Sequence, residues 1–129
     1  AVRGPIVMVT NQWAGSDGDI VAAATQAMGY AKVIGERSWG GVVGIDGRFD
    51  LVDGTSVTQP RYAGWYGSYG WGVENHGVDP DIVVTVSPED WEADCDVQLD
   101  AAIAECLRQL DDKPAATAPE LPGPAFDRC

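Results

Sequence analysis

The feature that most restricts the fold is a strand, a helix and a second strand within the first 36 residues. Residues 5–10 form a short apolar run rich in β-branched side chains, which is typical of a buried parallel strand. In residues 19–28 the apolar side chains recur at helical spacing, and Gly29 is a plausible end for that helix. Residues 32–36 read as a second strand. Short joints between these elements predict a βαβ unit and an α/β fold.

The rest of the chain predicts a hairpin, one more strand and one more helix. Residues 49–52 and 56–58 flank a turn at 53–54 and predict a hairpin, and residues 82–86 predict a strand. Residues 88–90 open an acidic linker. The helix predicted at 97–110 is amphipathic, and its apolar face carries Leu99, Ile103, Cys106/Leu107 and Leu110.

Length and charge limit the organisation and the partners. The 129 residues suit one domain, which we place at residues 1–112, followed by a Pro-rich tail at 113–129 that is disordered or lies along the surface. The net charge of −12 argues against binding to nucleic acid or to anionic membranes. No apolar run approaches the roughly 20 residues that span a bilayer.

Cysteine and histidine usage limits the chemistry. The three cysteines, Cys129 among them, lack the spacing of a disulfide framework or a zinc site, and His76 is the single histidine. The N-terminus also lacks the features of a signal peptide. These observations predict a reducing, cytoplasmic setting.

The most informative segment is residues 14–19, between the first strand and the first helix. Ser16 there sits on a sharp turn at the positive end of a helix dipole, and unpaired N–H groups just after it can receive an oxyanion. This is the geometry that a serine nucleophile needs. The alternative is a capping box in which Ser16 and Asp19 only begin the helix. Ala14 also departs from the Gly-x-Ser-x-Gly pattern of α/β-hydrolases.

Three ordered blocks resemble the end of the catalytic core of tricorn-type serine peptidases. They are residues 4–11 with 14–20, residues 33–44, and residues 72–81, which carry a Glu-Asn-x-Gly-Val-x-Pro-Asp signature. The resemblance covers roughly residues 4–110, and the C-terminal-processing peptidases are more distant relatives. It implies an α/β fold with a mixed, mostly parallel sheet flanked by helices. That fold is crotonase/Clp-protease-like and here an incomplete half of the catalytic domain.

The resemblance assigns roles residue by residue. Ser16 matches the nucleophile, the backbone N–H of Asp17 matches an oxyanion donor, and Glu74 matches the acidic member of a Ser-His-Ser-Glu tetrad. The family's histidine, its partner serine and the second oxyanion donor lie upstream and are not in this sequence. His76 falls at the variable position of the signature. A strand would put it on the same face as Glu74, but we interpret it as a surface histidine.

The implied function is hydrolysis of short peptides through an acyl-enzyme on Ser16, with the base supplied by the remainder of the catalytic domain. The chain alone is then expected to be inactive, because a serine without a base is a poor nucleophile. The resemblance also implies a homo-oligomer, and it implies no cofactor and no metal.

A different function class stays open because of residues 62–72, where Trp65, Tyr66, Tyr69 and Trp71 alternate with glycines. These rings can form a stacking platform for sugars in a non-catalytic interaction or carbohydrate-binding module, or they can pack on the sheet or a neighbouring subunit. Ser16 and Glu74 together favour the peptidase, since a binding module needs neither.

Overall fold

The computed structural model describes residues 3–120 and residue 123. The expectation for Cys129 and for the end of the tail lies outside the described residues. The elements, in chain order, are β1 (Val7–Thr10), α1 (Asp17–Met28), β2 (Lys32–Gly35), β3 (Gly44–Asp46), β4 (Gln59–Tyr62), β5 (Ile82–Val83), α2 (Pro88–Glu92) and α3 (Val97–Asp112).

The predicted strand–helix–strand unit is confirmed. β1 pairs in parallel with β2, from Val7 opposite Lys32 to Thr10 opposite Gly35. β5 pairs in parallel with the other side of β2, so the sheet order is β1-β2-β5. α1 ends at Gly29, which adopts a left-handed φ of 64° and donates its N–H to the carbonyls of Thr25 and Gln26. Helix α1 begins at Asp17, two residues earlier than expected.

The core lies between α1 and the sheet. Ala22 and Ala23 of α1 are buried against Val33 of β2, and their small side chains allow the helix to approach the strands closely. The same cluster includes side chains from loops that follow the second strand, and these are Val42, Val73 and Val78. Because those loops are anchored in the core, the segments next to them are held at fixed positions over the N-terminal end of α1.

Helix α3 packs on β1 and β2, but not by the face that the sequence predicted. The buried residues of α3 are Gln98 and Ala102, and the Gln98 amide donates to the carbonyl of Val84 at 2.9 Å. Three residues of the predicted apolar stripe instead face outward, since Leu99, Ile103 and Leu107 are exposed by 50%, 49% and 58%, while Cys106 and Leu110 are half-buried. The amide anchor and the small Ala102 decide the helix orientation, and the outward part of the stripe is uncovered within the described residues.

Two other local expectations are corrected. The ladder of the hairpin is formed by β3 and β4 and not by residues 49–52 and 56–58, where a single bridge joins Asp50 to Ser56. Residues 88–90 are not a linker, because they begin α2. Ser87 caps that helix with a complete capping box, in which its hydroxyl accepts the N–H of Asp90.

The described part of the tail, residues 113–120, has no regular structure and is exposed. It touches the other end of the chain, where Ala116 donates its N–H to the carbonyl of Arg3 at 3.2 Å. The division into a folded unit and a flexible tail stays a prediction. No helix within residues 3–120 has the length and apolar character needed to cross a membrane.

Candidate active site

Ser16 occupies the turn between β1 and α1 in an unusual backbone conformation, with φ 53° and ψ −110°. Such a conformation costs about 1–3 kcal/mol in a residue with a side chain and persists only where the surroundings impose it. The hydroxyl of Ser16 makes no capping hydrogen bond, so the capping-box interpretation is wrong. A capping serine has an extended backbone, which this residue lacks. The exposed hydroxyl is therefore left at the N-terminal end of the helix.

A second segment holds this turn in place. Ser16 donates its N–H to the carbonyl of Gly41 at 3.1 Å, and Trp39 donates its N–H to the carbonyl of Ala14 at 3.0 Å. The ring of Trp39 lies directly over Gly15, where a Cβ atom would overlap the ring. A side chain at position 15 would therefore require the exposed Trp39 ring to move away from the turn.

The backbone N–H of Asp17 points to a further function of the turn. Within residues 3–120 this N–H has no hydrogen-bond acceptor, whereas that of the next residue, Gly18, donates to the carbonyl of Gly15 at 2.9 Å. Asp17 is the first residue of α1, so its N–H lies at the positive end of the helix dipole. An exposed N–H donor next to an exposed hydroxyl can stabilise, by a hydrogen bond, the oxygen that becomes negative when the hydroxyl attacks a carbonyl group.

Glu74 lies in the turn after the aromatic segment and binds the backbone directly after Gly41. Its Oε2 accepts the N–H groups of both Val42 and Val43, each at 2.7 Å. Its carboxylate is half-buried beside a groove of about 270 Å³. Ser16 and Glu74 are therefore brought to consecutive residues of one loop, although they are 58 positions apart in the sequence.

Asp19 is the site residue that the sequence analysis assigned wrongly. It is completely buried, and its Oδ1 accepts the Ser38 hydroxyl at 2.5 Å and the Gly40 N–H at 2.8 Å. Its Oδ2 accepts the N–H of Gly41 at 3.2 Å. Helical periodicity could have found it, because Asp19 precedes the buried Ala22 and Ala23 by three and four residues.

His76 does not approach Glu74 as a paired residue. Residues 74 and 76 belong to a turn and not to a strand, and Asn75 between them has a φ of 64°. The exposed His76 ring instead contacts the Asp79 carboxylate, with 2.8 Å between Nε2 and Oδ2. Arg37 donates to the backbone carbonyl of His76 at 2.5 Å. The interpretation as a surface histidine agrees with this geometry.

The aromatic segment divides into two pairs. Tyr66 and Tyr69 are partly buried and pack against the core, while Trp65 and Trp71 are both exposed. The Tyr69 hydroxyl donates to the side-chain carbonyl of Gln26. Burial, followed by the nearby carboxylates of residues 81 and 79, raises the pKa of the Tyr69 phenol. The tyrosines are thus structural.

Metal-ligating side chains do not gather in the described part of the chain, where no three His, Cys, Asp or Glu residues cluster. The acidic residues near the start of α3 have a local structural explanation in Asp96. Its carboxylate caps that helix by accepting the N–H of Leu99 at 2.9 Å.

The chain is similar to known proteins over most of its length. The chain is 59% identical over 122 residues, 95% of its length, to tricorn protease homolog 1 of Streptomyces coelicolor. It is 47% identical over 110 residues, 85% of its length, to the tricorn protease of Thermoplasma acidophilum. The crystal structure of the tricorn protease superposes on 84% of the chain with a TM-score of 0.82 and 47% identity.

The chain spans about a tenth of the length of these relatives, 11% and 10% of the two sequences and 11% of the crystallised chain. A putative peptidase from Parabacteroides merdae, at 24% identity and a TM-score of 0.63 over 88% of this chain and 34% of that one, shares the fold. The model of the Peptidase family S41 matches residues 1–84. The chain therefore belongs to peptidase family S41, in keeping with the resemblance of its three sequence blocks to tricorn-type serine peptidases.

Proposed function

We propose that this chain supplies the nucleophile and part of the oxyanion hole of a serine peptidase that hydrolyses short peptides. The observation that carries the proposal is the conformation of Ser16. Its backbone is held in a strained turn, and its hydroxyl is exposed and not used as a cap. A serine that only begins a helix has no need of that strain.

The reaction proceeds through an acyl-enzyme. Ser16 Oγ attacks the carbonyl carbon of the scissile peptide bond while its proton passes to a histidine base. The N–H of Asp17 donates to the oxygen that becomes negative. The C–N bond then breaks as the base gives the proton to the leaving amine. A water molecule then attacks the carbonyl carbon of the ester while one of its protons passes to the histidine. The bond to Ser16 Oγ breaks as the histidine gives that proton to Oγ, and the carboxylic acid product is released.

The base comes from the remainder of the catalytic domain, because the single histidine of this chain is paired with Asp79 at the surface. Glu74 helps to orient that base through a serine that is also outside this chain. One oxygen of Glu74 is taken by two backbone N–H groups, and Oε1 has no partner within residues 3–120. That oxygen is available to accept a hydrogen bond from the missing part.

The test is labelling with a fluorophosphonate probe, which reacts with activated serines. The chain is tested alone and then mixed with the upstream part of the catalytic domain, each with Ser16→Ala as the control. We expect labelling in the mixture only, and none with the Ser16→Ala chain.

Two outcomes contradict this proposal in different ways. Labelling of the chain alone at Ser16 would mean that the base lies within it, with His76 as the sole histidine. No labelling of a folded mixture would favour the non-catalytic module and would remove the peptidase proposal.

The finer properties implied by the family are part of the same proposal. We infer a crotonase/Clp-protease-like sheet completed by the rest of the domain, a homo-oligomeric enzyme and a cytoplasmic setting. The first is supported by β1, which is an edge strand among the described residues, and by the uncovered apolar stripe of α3.

A further inference from the structure

Four consecutive backbone N–H groups, from Gly40 to Val43, are all held by carboxylates. Asp19 accepts those of Gly40 and Gly41, and Glu74 accepts those of Val42 and Val43. A loop whose successive N–H groups point at acceptors from outside cannot pair with itself. Its conformation is thus set by the two carboxylates, which bind its N–H groups, and by the neighbouring N–H groups that its carbonyls accept.

Those carbonyl groups reach the two candidate site residues. The Gly41 carbonyl accepts the N–H of Ser16, and the Gly40 carbonyl accepts the N–H of Asn75, next to Glu74. Asp19 therefore binds the N–H groups of Gly40 and Gly41, and the carbonyls of the same two glycines bind the segments that carry Glu74 and Ser16. Asp19 lies on α1, three residues after Ser16. Both residues therefore contact Gly41, Ser16 through the glycine carbonyl and Asp19 through the glycine N–H.

We propose that Asp19 is a positioning residue for Ser16, acting through the loop at residues 38–41. This inference rests on the proposed function of Ser16. The buried carboxylate keeps the Gly41 carbonyl where it holds the Ser16 backbone in its strained conformation. Ser38 completes the arrangement, since its hydroxyl donates to Asp19 and accepts the N–H of Val78 at 2.8 Å. Val78 belongs to the core, which anchors the loop from its other side.

The decisive variant is Asp19→Asn, which preserves size and removes one acceptor. An amide keeps a single acceptor oxygen for Ser38 and Gly40, and its NH₂ group would face the N–H of Gly41, donor against donor. The matched control is Thr25→Val. Thr25 is equally buried on α1, and its hydroxyl lies 3.0 Å from that of Tyr30, away from the loop.

The first measurement is amide hydrogen exchange of Ser16 in the chain itself, which does not depend on activity. We expect Asp19→Asn to lower the protection of the Ser16 amide at least about tenfold more than that of the core amides. Thr25→Val should lower the protection of the Ser16 amide and of the core amides by the same factor. Equal changes in the two variants would overturn the inference, because Asp19 would then act on stability only.

The second measurement is peptide hydrolysis by the completed catalytic domain at a temperature where all variants are folded. A misplaced nucleophile in Asp19→Asn lowers kcat by roughly 10²-fold with KM nearly unchanged, whereas an effect on stability alone leaves kcat of both folded variants close to that of wild type. Ser38→Ala leaves the contact between Asp19 and Gly41 intact, so its kcat should lie between those of wild type and Asp19→Asn. If wild type shows no activity at Ser16, the proposed function fails, while hydrogen exchange still decides whether Asp19 holds the Ser16 backbone.

Discussion

Replacing Glu74 tests whether its carboxylate holds the loop beside Ser16. Glu74→Ala leaves the N–H groups of Val42 and Val43 without their acceptor, and Val42 is buried. Two hydrogen bonds to a charged group are worth about 3–6 kcal/mol together. The adjoining groove of about 270 Å³ admits water that can replace part of that loss. We therefore expect the free energy of unfolding to fall by about 2–3 kcal/mol.

Glu74→Gln separates the charge from the hydrogen bonds. The amide oxygen can still accept both N–H groups, but each bond loses its charge assistance, so we expect a smaller fall of about 1–2 kcal/mol. Glu92→Ala is the control, because Glu92 is exposed and its side chain has no hydrogen-bond partner among the described residues; its effect should stay within about 0.5 kcal/mol.

Thermal unfolding of the chain measures these differences. For a domain of this size 1 kcal/mol moves the unfolding midpoint by about 3–6 °C, so Glu74→Ala should melt roughly 6–18 °C below wild type. If Glu74→Ala and Glu92→Ala unfold at the same temperature, the two short hydrogen bonds do not hold the loop and the reasoning is refuted.

Three further results are expected. Because the pKa of Tyr69 is raised in the folded chain, the unfolded chain releases the phenol proton at a lower pH. The free energy of unfolding should therefore fall as the pH rises above 10.0, the ordinary pKa of tyrosine. Melting curves of Tyr69→Phe at alkaline pH should lack this fall. Oligosaccharides titrated into the chain should leave the fluorescence of Trp65 and Trp71 unchanged, and a saturable change lost in Trp71→Ala would favour the carbohydrate-binding module. Leu107→Ala should cost under about 1 kcal/mol in urea unfolding, against about 2–5 kcal/mol for the fully buried Ile34→Ala, and equal costs would place the apolar stripe inside the fold.

The sequence alone was sufficient for the elements whose determinants are local. The apolar β-branched run of β1, the helical spacing of α1 and the glycine after it all act over a few residues, so their patterns predict the βαβ unit correctly. The position of Ser16 at the strand–helix junction follows from the same local order. Its conformation does not, because the N–H of this residue pairs with the carbonyl of Gly41, which lies 25 positions later.

The errors arose where distant partners outweigh a local pattern. Asp19 stands three residues after Ser16, which fits a capping box, but three donors from residues 38, 40 and 41 draw its carboxylate into the core. On α3 the apolar stripe indicates one face, while the amide of Gln98 and the small Ala102 select another. In both cases a polar side chain with a buried partner decides the orientation, and spacing alone does not show which partners are available.

The arrangement also explains why two carboxylates are needed around one glycine-rich loop. Gly40 has a φ of 88°, and a Cβ atom there would overlap the backbone at residues 76–77, so the loop must pass close to the turn that carries Glu74. Such a path gives up regular pairing for four N–H groups, and acceptors from side chains must replace it. Asp19 provides the acceptors for the N–H groups of residues 40 and 41, and Glu74 provides the acceptor for those of residues 42 and 43. The backbone of Ser16, the proposed nucleophile, and the carboxylate of Glu74 therefore contact the two ends of one peptide bond, between Gly41 and Val42, and we expect a change at either carboxylate to reach Ser16.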